Sequence, residues 1–592
     1  MRLHAFKLWF KRRLRKRQRQ VEGLGLQAEE QLEQHFFKRI GRLGPVWRFA
    51  TSWMLLWVLL IGILVVQIEA LSSHFQTTQP VPGGTYTEGI VGTFTNADPL
   101  YASSDTDLTV SRLVFSSLLK YNSSNQLEGD LAQSWSVDKT GTLYTVHLRP
   151  NVKWQDGEPL TADDVVFTYH TIQDPDAQSS LNSSWQGITV SASDSLTVTF
   201  KLPNPLSSFP YSLTNGIVPQ HILKNVSPVD LRSSSFNTQD PIGSGPFMWQ
   251  AVKVTDTTPA TAETQIELQP FADYYGGGPK LNTFIVHVFA AEPAMIASFR
   301  KHQLTAMAGV SHLPSDLAKS RALHRYSMLL TAAKMVFFNT SQGALQDAKV
   351  RQALVKGANV DAIVNNVGYP TVPVREPLLR GQLGYDAKYR QATDQPAVGR
   401  ALLDKDGWKV GKDGVRYKQG LPLTFTLYLS QNTENDMVAA MLQQQWRKEL
   451  GVQMNVQKED ATDFNDTVAS RSYDALLYGI AIGIDPDVFV YWDSSQSHST
   501  TGQNYSLYSS ATADSSLESG RTRSDPTLRA IKYKPFLQAW QTDAPALGLY
   551  QPRYLYVSWT KVYGLDEHRL NTGIDRFANV QNWEIREAKV TD

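Results

Sequence analysis

Residues 127–169 read LEGDLAQSWSVDKTGTLYTVHLRPNVKWQDGEPLTADDVVFTY, a stretch that is dense in local structure signals. Within it, residues 143–149 (LYTVHLR) are rich in β-branched and aromatic residues, which predicts a strand. The pair Asp156-Gly157 predicts a turn. Residues 161–164 (TADD) resemble a capping box ahead of an apolar run, so a helix is predicted to begin there.

Outward from this stretch, strand and helix signals alternate. Residues 196–202 and 284–289 are again rich in β-branched and aromatic residues. Later in the chain, residues 423–429 (LTFTLYL) predict a strand, 434–450 an amphipathic helix and 452–456 a second strand. A strand, helix and strand of this length imply a parallel pair with a right-handed crossover. The predicted fold class is therefore α/β, with mixed sheets and more than one lobe.

The composition excludes several classes of protein. The chain has 592 residues, which suggests two or three domains, and its hydrophobic share of 42% suits a folded body. It has no cysteine, so it has no disulfide framework, thiolate zinc site, cysteine nucleophile or cysteine-ligated iron–sulfur cluster. A bacterial lipoprotein anchor is excluded as well, because it needs a cysteine to carry the lipid.

The charge is divided unevenly along the chain. Residues 1–48 contain 13 Lys and Arg against 4 Asp and Glu, a net charge of +9. The remainder contains 44 against 52, a net charge of −8, so the total of +1 is an average of two unlike parts. This division predicts that the chain meets two environments.

An apolar segment separates the two parts. Residues 49–68 (FATSWMLLWVLLIGILVVQI) carry no charge and are long enough to cross a hydrocarbon core of about 30 Å. A cleaved signal peptide is the competing interpretation, but its apolar region is normally only about 7–15 residues. We predict a single-pass transmembrane anchor in the cell membrane, with a basic cytoplasmic arm at 1–48 and the large C-terminal domain outside. Residues 69–82, rich in Ser, Thr, Gln and Pro, are predicted to be a linker.

The basic arm has two candidate partners. Residues 11–20 (KRRLRKRQRQ) resemble a nucleic-acid-binding patch. However, Leu3, Phe6 and Phe10 recur every three or four residues, so a helix would carry an apolar stripe within a cationic surround. That pattern suits an anionic lipid surface. We therefore predict the lipid bilayer, and not nucleic acid, as the partner of the arm.

Catalytic and metal-binding motifs are scarce. The H-E-x-x-H, P-loop and G-x-S-x-G motifs are absent, and the 12 histidines form no pair at ligand spacing on one helix. Residues 404–407 (DKDG) and 485–487 (DPD) resemble fragments of calcium loops, but ordinary turn chemistry explains them. We predict no catalytic residue, no metal and no cofactor. A carboxylate pair for acid–base chemistry stays open, because sequence spacing says little about it.

The opening stretch resembles the signature of bacterial extracytoplasmic solute-binding proteins of family 5, the peptide and nickel group of ABC importers. The residues that carry the resemblance are 131–135 (LAQSW), 148–149 (LR) and 153–165 (KWQDGEPLTADDV). Further landmarks follow in the order of the family between residues 84 and 560: 96–100 (NADPL), 241–247 (PIGSGPF), 337–340 (FFNT), 350–354 (VRQAL), 485–487 with 491–496 (DPD and YWDSSQ) and 543–547 (DAPAL). The resemblance thus covers nearly all of the outer part.

The resemblance implies a two-lobe, periplasmic-binding-protein-like fold of type II, in the large class with an extra sub-domain, after one N-terminal transmembrane helix. Lobe I would comprise residues 83–310 and 545–592, with the sub-domain at 116–205, and lobe II would comprise residues 325–540. Crossing segments would hinge the lobes, and a solute in the cleft would shift an open–closed equilibrium. The closed form would dock on an ABC permease.

The resemblance also implies the walls of the cleft. The expected ligand-binding residues are Thr93, Phe94 and Asn96 on one side and Asn339, Asp485, Trp492 and Tyr505 on the other. Buried packing is an equal alternative for Trp492 and Tyr505. Oligopeptide binders of the family hold the α-amino group of the peptide with an aspartate three residues before the Asp-Pro pair. That position is Ile482 here, so Asp485 or Asp487 would have to replace it.

The predicted function is a membrane-anchored extracytoplasmic solute-binding protein that delivers a peptide or similar small polar solute to an ABC import permease. It is predicted not to be an enzyme. The alternative is a ligand sensor that signals through the transmembrane helix. A third class, an anchored hydrolase with a carboxylate pair, has no motif in its support.

Overall fold

The structure, a computed structural model, describes residues 47–74, 76–256, 262–497, 502–565 and 567–591. The chain divides into two units, Met1–Gln79 with Glu587–Asp592, and Pro80–Arg586. Apart from residues 47–48, the predicted basic arm lies outside the described residues.

In its described part, the first unit begins with the helix Trp47–His74. Its segment Phe49–Glu69 is apolar and long enough, at 21 residues, to cross a membrane, and none of it is buried by protein. The strand Gln76–Val81 follows and pairs with the strand Arg586–Thr591. Within residues 69–82, which the composition predicts to be a linker, the helix continues to His74 and the strand covers Gln76–Val81. Local composition could not show this, because the partner strand lies at the far end of the chain.

The second unit contains a seven-stranded mixed sheet. The strand Thr85–Val91 is parallel to both of its neighbours, and the other pairs are antiparallel. The order across the sheet is His324–Leu329, Arg553–Ser558, Ala306–Ala308, Thr85–Val91, Thr283–Phe289, Glu263–Pro270 and Phe247–Asp256. We call this sheet and the smaller sheets before residue 324 lobe I.

The signature stretch builds a smaller sheet within lobe I. The helix Ala162–Gln173 begins with the predicted capping box, in which the Asp164 carboxylate accepts from Thr161 N at 2.8 Å. It buries Val165 and Tyr169. The four antiparallel strands are Ala132–Val137, Leu143–Leu148, Thr197–Lys201 and Thr189–Asp194, and a separate pair is Leu119–Tyr121 with Leu127–Gly129.

A five-stranded sheet forms the core of the other lobe, lobe II. Its strand Thr424–Ser430 is parallel to two neighbours, and the helix Thr433–Leu450 links it to one of them. This confirms the predicted strand–helix–strand unit with parallel strands. The helix ends at Gly451, whose φ of 69° favours glycine. The order is Gln453–Glu459, Thr424–Ser430, Ala475–Ala481, Ala332–Phe338 and Ala546–Tyr550, and Lys409–Val410, Arg416–Lys418 and Leu421–Pro422 form a small separate sheet.

Helices fill the connections between strands. Among the described residues, the remaining α-helices are Asp105–Val114, Asn182–Trp185, Gln220–Leu223, Pro228–Leu231, Glu292–Arg300, Ser315–Lys319, Ala348–Gly357, Val360–Asn366, Pro396–Lys405, Ala461–Ser470, Phe489–Trp492, Ala511–Arg521 and Pro526–Asp543. The 3-10 helices are Pro175–Ala177, Phe209–Thr214, Ser235–Asn237, Gly343–Gln346, Ala387–Tyr389, Ser494–Gln496, Gly573–Phe577 and Val580–Asn582.

Two short segments carry the chain between the lobes. Residues 330–331 lead from lobe I to lobe II, and residues 551–552 lead back. The segments lie side by side, because Leu330 N donates to Pro552 O at 3.0 Å and Gln551 Nε2 donates to Leu330 O at 3.0 Å. The structure therefore has the two-lobe periplasmic-binding-protein fold, with paired crossings that suit a hinge.

The predicted lobe bounds at 325 and 545 each lie one strand away from these crossings. The strand His324–Leu329 belongs to the seven-stranded sheet, and Ala546–Tyr550 belongs to the five-stranded sheet. Each strand continues almost directly into a strand of the other lobe, so no loop or change of composition marks the boundary.

Signature residues bind one another within the fold. Gln155 is buried, its Oε1 accepts from Gly243 N at 2.9 Å, and its Nε2 donates to Phe247 O at 2.8 Å. A Cβ on Gly243 would lie 1.9 Å from the carbonyl oxygen of Val114, so this position accepts only glycine. Hydrogen bonds thus hold the motifs that contain Gln155 and Gly243 together inside lobe I.

Hydrogen bonds join a second pair of motifs in lobe II. Arg351, from the VRQAL motif, is buried and donates to Asp543 O at 2.7 Å and to Leu345 O at 2.8 Å. Asp543 opens the DAPAL motif. These motifs satisfy buried backbone carbonyls, so their role here is to hold the fold.

Candidate functional site

A cavity of about 520 Å³ lies between the two lobes, next to the crossing segment at Pro552. A volume of this size suits a small ligand. Lobe I lines it with Asp105 and residues 309–312 and 552–554, and lobe II lines it with Lys334, residues 366–369, residues 432–435 and Met437. Because both lobes contribute walls, movement about the crossings would change its shape.

Lobe II supplies a carboxylate to the cavity. Glu434 lies in the first turn of the helix Thr433–Leu450. Tyr550 Oη donates to its Oε1 at 2.7 Å, and Tyr369 Oη donates to its Oε2 at 3.1 Å. Burial, and then the Glu434 charge, raise the pKa of both tyrosines, so the hydroxyls stay protonated and able to donate. Both carboxylate oxygens therefore already hold a donor.

Lobe II also supplies a cation. Lys334 lies in the strand Ala332–Phe338, between the fully buried residues Ala333 and Met335. Burial lowers the pKa of Lys334 from 10.5 to about 8, and the charge of Glu434 opposes that lowering. Within the described part of the chain, no ion pair shorter than 4.0 Å includes Lys334 Nζ.

A second cation reaches the cavity from lobe I. The guanidinium of Arg553 lies 4.2 Å from the ring centroid of Tyr369, which belongs to lobe II. Its Nη1 also donates to Ser327 Oγ at 3.5 Å. The contact with Tyr369 is a cation–π interaction, and it links the two lobes at the cavity.

The cavity carries few ionisable groups in total. Lys334, Arg553 and Glu434 lie inside it and give a formal charge of +1, while Asp105 and His312 are exposed at its rim. Among the residues that the structure describes, no cluster of three or more His, Asp or Glu is placed to hold a metal ion.

The lobes also touch at a second place. Ser208, in the loop after the four-stranded sheet, donates from Oγ to Asp487 Oδ2 at 2.8 Å. Arg521 Nη2 lies 3.2 Å from the same oxygen. Asp487 and Arg521 belong to lobe II, so Asp487 connects the lobes. A further cavity of about 460 Å³ adjoins these residues and is lined in part by Phe489 and Glu518.

The three predicted site residues of lobe I lie in one loop. Thr93 is exposed, and the half-buried ring of Phe94 has its centroid 5.9 Å from that of Trp249. Asn96 is buried, and its Oδ1 accepts from Asp98 N at 2.7 Å. Of the three, only Thr93 presents an exposed side chain, and none of them lines the 520 Å³ cavity.

Two predicted polar residues of lobe II already bind other parts of the protein. Asn339 is buried, and its Nδ2 donates to Tyr473 O at 2.9 Å. Asp485 accepts from Arg529 at 2.6 and 2.5 Å, and both side chains are nearly buried. Neither residue lines the cavity described above.

The predicted aromatic residues pack within lobe II. Trp492 is fully buried, with its ring stacked 5.6 Å from that of Phe337. Tyr505 is 8% exposed, and its ring centroid lies 5.5 Å from that of Phe337. Ile482 is also buried and carries no charge, and its backbone N donates to Thr331 O at 3.0 Å, beside the crossing. Binding of a solute by the seven predicted residues stays a prediction.

Sequence reasoning did not find Lys334, Arg553 and Glu434. Lys334 is the single charge in the strand AAKMVFF, and a lone lysine within an otherwise apolar strand is a signal that could have identified it. Glu434 resembles an ordinary first-turn acid, which is favourable at any helix start. The cavity itself was not predictable from local sequence, because it forms where the two lobes meet.

Residues 126–501 match the family model described as Bacterial extracellular solute-binding proteins, family 5 Middle, and this range is more than half of the chain. The chain belongs to this family. The family 5 protein is 27% identical over 523 residues to the oligopeptide-binding protein AppA of Bacillus subtilis (strain 168), covering 85% of this chain and 94% of AppA. It is 26% identical over 488 residues to the probable D,D-dipeptide-binding periplasmic protein DdpA of Escherichia coli (strain K12), covering 77% and 86%.

Solved structures agree with the fold of this family 5 protein. NikZ from Campylobacter jejuni, in complex with Ni(L-His), superposes with a TM-score of 0.72 at 26% identity and covers 84% of this chain and 99% of NikZ. AppA from Bacillus subtilis, in complex with a nonapeptide, gives a TM-score of 0.70 at 25% identity and covers 86% and 100%. The predicted family and the predicted two-lobe fold are both confirmed.

Proposed function

We propose that this family 5 protein is a membrane-anchored extracytoplasmic receptor that delivers a peptide or similar small polar solute to an ABC import permease. The observation that carries the proposal is the cavity between the lobes, which adjoins the crossing segment at Pro552 and has charged walls from each lobe. A solute that binds both walls stabilises the arrangement in which they are close.

Contacts between the lobes support a closing motion. Arg553 of lobe I lies over Tyr369 of lobe II, and Ser208 of lobe I binds Asp487 of lobe II. Each contact requires the lobes to be close together, and each is small enough to break without unfolding either sheet. A bound solute needs to add only a few kcal/mol to shift such an equilibrium strongly.

The relatives support the proposed class of solute. AppA is named as an oligopeptide-binding protein, DdpA as a probable D,D-dipeptide-binding protein, and NikZ is in complex with Ni(L-His). These ligands share a small size and many polar groups. Ile482 carries no carboxylate, so the proposed solute is not restricted to peptides with a free amine.

The apolar helix supports the proposed anchor. Phe49–Glu69 is the one helix in the described part of the chain with the length and composition to span a membrane. A receptor held in the membrane samples a small volume around its permease, which raises its effective concentration there. With the basic arm in the cytoplasm, the body carrying the cavity would lie outside.

Binding can be tested on the full chain in detergent. We expect a panel of peptides, sugars, opines and metal chelates to include solutes that raise the thermal unfolding temperature. At a hundredfold excess over Kd, such a solute should stabilise the folded protein by about 2.7 kcal/mol. Because the chain has no cysteine, Val229→Cys and Leu528→Cys place one exposed label on each lobe. The distance between the labels should shorten with the same solutes. A panel without stabilisation and without a distance change contradicts the proposal.

Deletion of residues 1–44, with the helix retained, separates the receptor from the sensor alternative. A receptor for an importer should still support uptake of its solute in cells, because the body and its anchor are intact. A sensor should lose its signal, since its cytoplasmic part is missing. Loss of uptake in a normally inserted variant would count against the receptor function.

A further inference from the structure

The cavity between the lobes contains a cation whose hydrogen-bonding capacity is unused. Lys334 Nζ has three donors, and none of the hydrogen bonds among the described residues uses them. The other six residues of its strand are apolar and buried, and Lys334 itself is half-buried, so its side chain is only partly hydrated. A charge in such a place is costly unless an opposite charge compensates it.

The nearby carboxylate does not supply full compensation. Glu434 lies beyond ion-pair distance of Lys334, and its two oxygens hold the hydroxyls of Tyr550 and Tyr369 at 2.7 and 3.1 Å. Its charge still acts on Lys334 through space. We infer that Glu434 fixes the two tyrosines and is not the group that pairs with Lys334.

Arg553 adds a second positive charge from the opposite wall. Its guanidinium lies over Tyr369, whose hydroxyl binds Glu434, so one tyrosine connects the cation of lobe I to the carboxylate of lobe II. The three charges inside the cavity sum to +1, and the acid at the rim, Asp105, is in water. The interior is therefore deficient by one negative charge.

We propose that Lys334 and Arg553 form an anion-binding subsite, and that the solute carries a carboxylate group that binds there. This inference rests on the proposed receptor function and names the class of its solute. A single carboxylate brings the interior to neutrality, whereas a phosphate dianion would leave it overcharged. Because the two cations come from different lobes, a carboxylate between them would also favour closure.

Matched solute libraries can test the subsite on the full chain in detergent. One set contains tripeptides with free carboxyl termini and N-carboxyalkyl amino acids, and the other contains the same molecules as amides. The variants are Lys334→Met, which removes the charge, and Lys334→Arg, which retains it. Lys458→Met is the control, because Lys458 lies in the same sheet but is 46% exposed and pairs with Asp436 at 3.0 Å.

We expect the parent chain to bind acids about tenfold to a hundredfold more tightly than their amides. Lys334→Met should abolish this preference, whereas Lys334→Arg and Lys458→Met should retain it. Equal binding of acids and amides by the parent chain, or an unchanged preference in Lys334→Met, overturns the subsite and leaves the receptor function standing. Binding of neither library overturns the inference and also counts against the receptor function.

Discussion

Replacing Lys334 by methionine should stabilise the solute-free protein at neutral pH. Burial places the pKa of Lys334 at about 8 in the folded protein, against 10.5 for an ordinary lysine. At about 1.4 kcal/mol per pKa unit, this difference corresponds to about 3 kcal/mol of cost for keeping the charge in the fold. The side chain is partly open to the cavity, and water there screens the charge. We therefore expect Lys334→Met to gain about 1–2 kcal/mol.

The gain should depend on pH in a defined direction. Below pH 8, Lys334 is protonated in both the folded and the unfolded chain, so the whole cost is present. Between pH 8 and 10.5 the folded protein releases the proton while the unfolded chain keeps it, and the stability of the parent chain rises. The advantage of Lys334→Met should thus be largest near pH 7 and vanish towards pH 10.5.

The measurement is the difference in thermal unfolding temperature between the variant and the parent chain, taken from pH 7 to pH 10.5 by tryptophan fluorescence. The difference cancels the titration of the other lysines and the tyrosines, because both proteins share them. A stabilisation of this size corresponds to about 1–3 °C at pH 7. Lys458→Met should show no such pH trend. A difference that stays constant with pH, or grows above pH 8, would refute the assigned burial of the Lys334 charge.

Three further perturbations test contacts elsewhere in the second unit. Arg529→Met leaves the nearly buried Asp485 without its partner and should lower the free energy of unfolding in urea by about 3–5 kcal/mol. Adding Asp485→Asn should recover part of that loss. Equal losses in the single and the double variant would contradict the pairing. Gln155→Ala removes the side-chain partner of Gly243 N and Phe247 O and should cost about 2–4 kcal/mol with little effect on solute affinity; a selective loss of affinity would instead place Gln155 in the site. Asp487→Asn weakens the contact with Ser208 and Arg521 and should shift the open–closed ratio about fivefold towards open. The measurement is the distance between labels on Val229→Cys and Leu528→Cys. An unchanged distance would show that this contact does not stabilise the closed form.

Local patterns predicted the elements whose partners lie nearby in sequence. The capping box at Thr161 and Asp164 depends only on the first turn of a helix, so the local sequence predicts it. The same holds for the helix Thr433–Leu450 with its neighbouring strands, since periodicity marked the helix and Gly451 marked its end. The family followed from motifs that bind one another inside the lobes, such as those of Gln155 and Gly243.

The elements that were misplaced depend on distant partners. The strand Ala546–Tyr550 enters lobe II because it pairs with Ala332–Phe338, more than two hundred residues earlier in the chain. The cavity was missed for the same reason. Lys334, Glu434 and Arg553 are separated by about a hundred residues each, and only the meeting of two lobes brings them together. The predicted site residues came from loops at strand ends, a rule that does not show which polar groups the fold already uses.

The order of strands across the two sheets has a consequence for biosynthesis. All five strands of lobe II lie in one continuous stretch between residues 332 and 550, so this lobe has every strand it needs before the rest of the chain is made. The seven-stranded sheet is different, because its strand Arg553–Ser558 stands between Ala306–Ala308 and His324–Leu329. The ribosome must therefore release nearly the whole polypeptide before lobe I can close. Until then, the edges of Ala306–Ala308 and His324–Leu329 are unpaired and open to aggregation. In lobe II, one edge of Ala332–Phe338 likewise waits for Ala546–Tyr550, so a chaperone would have to shield strand edges in both lobes.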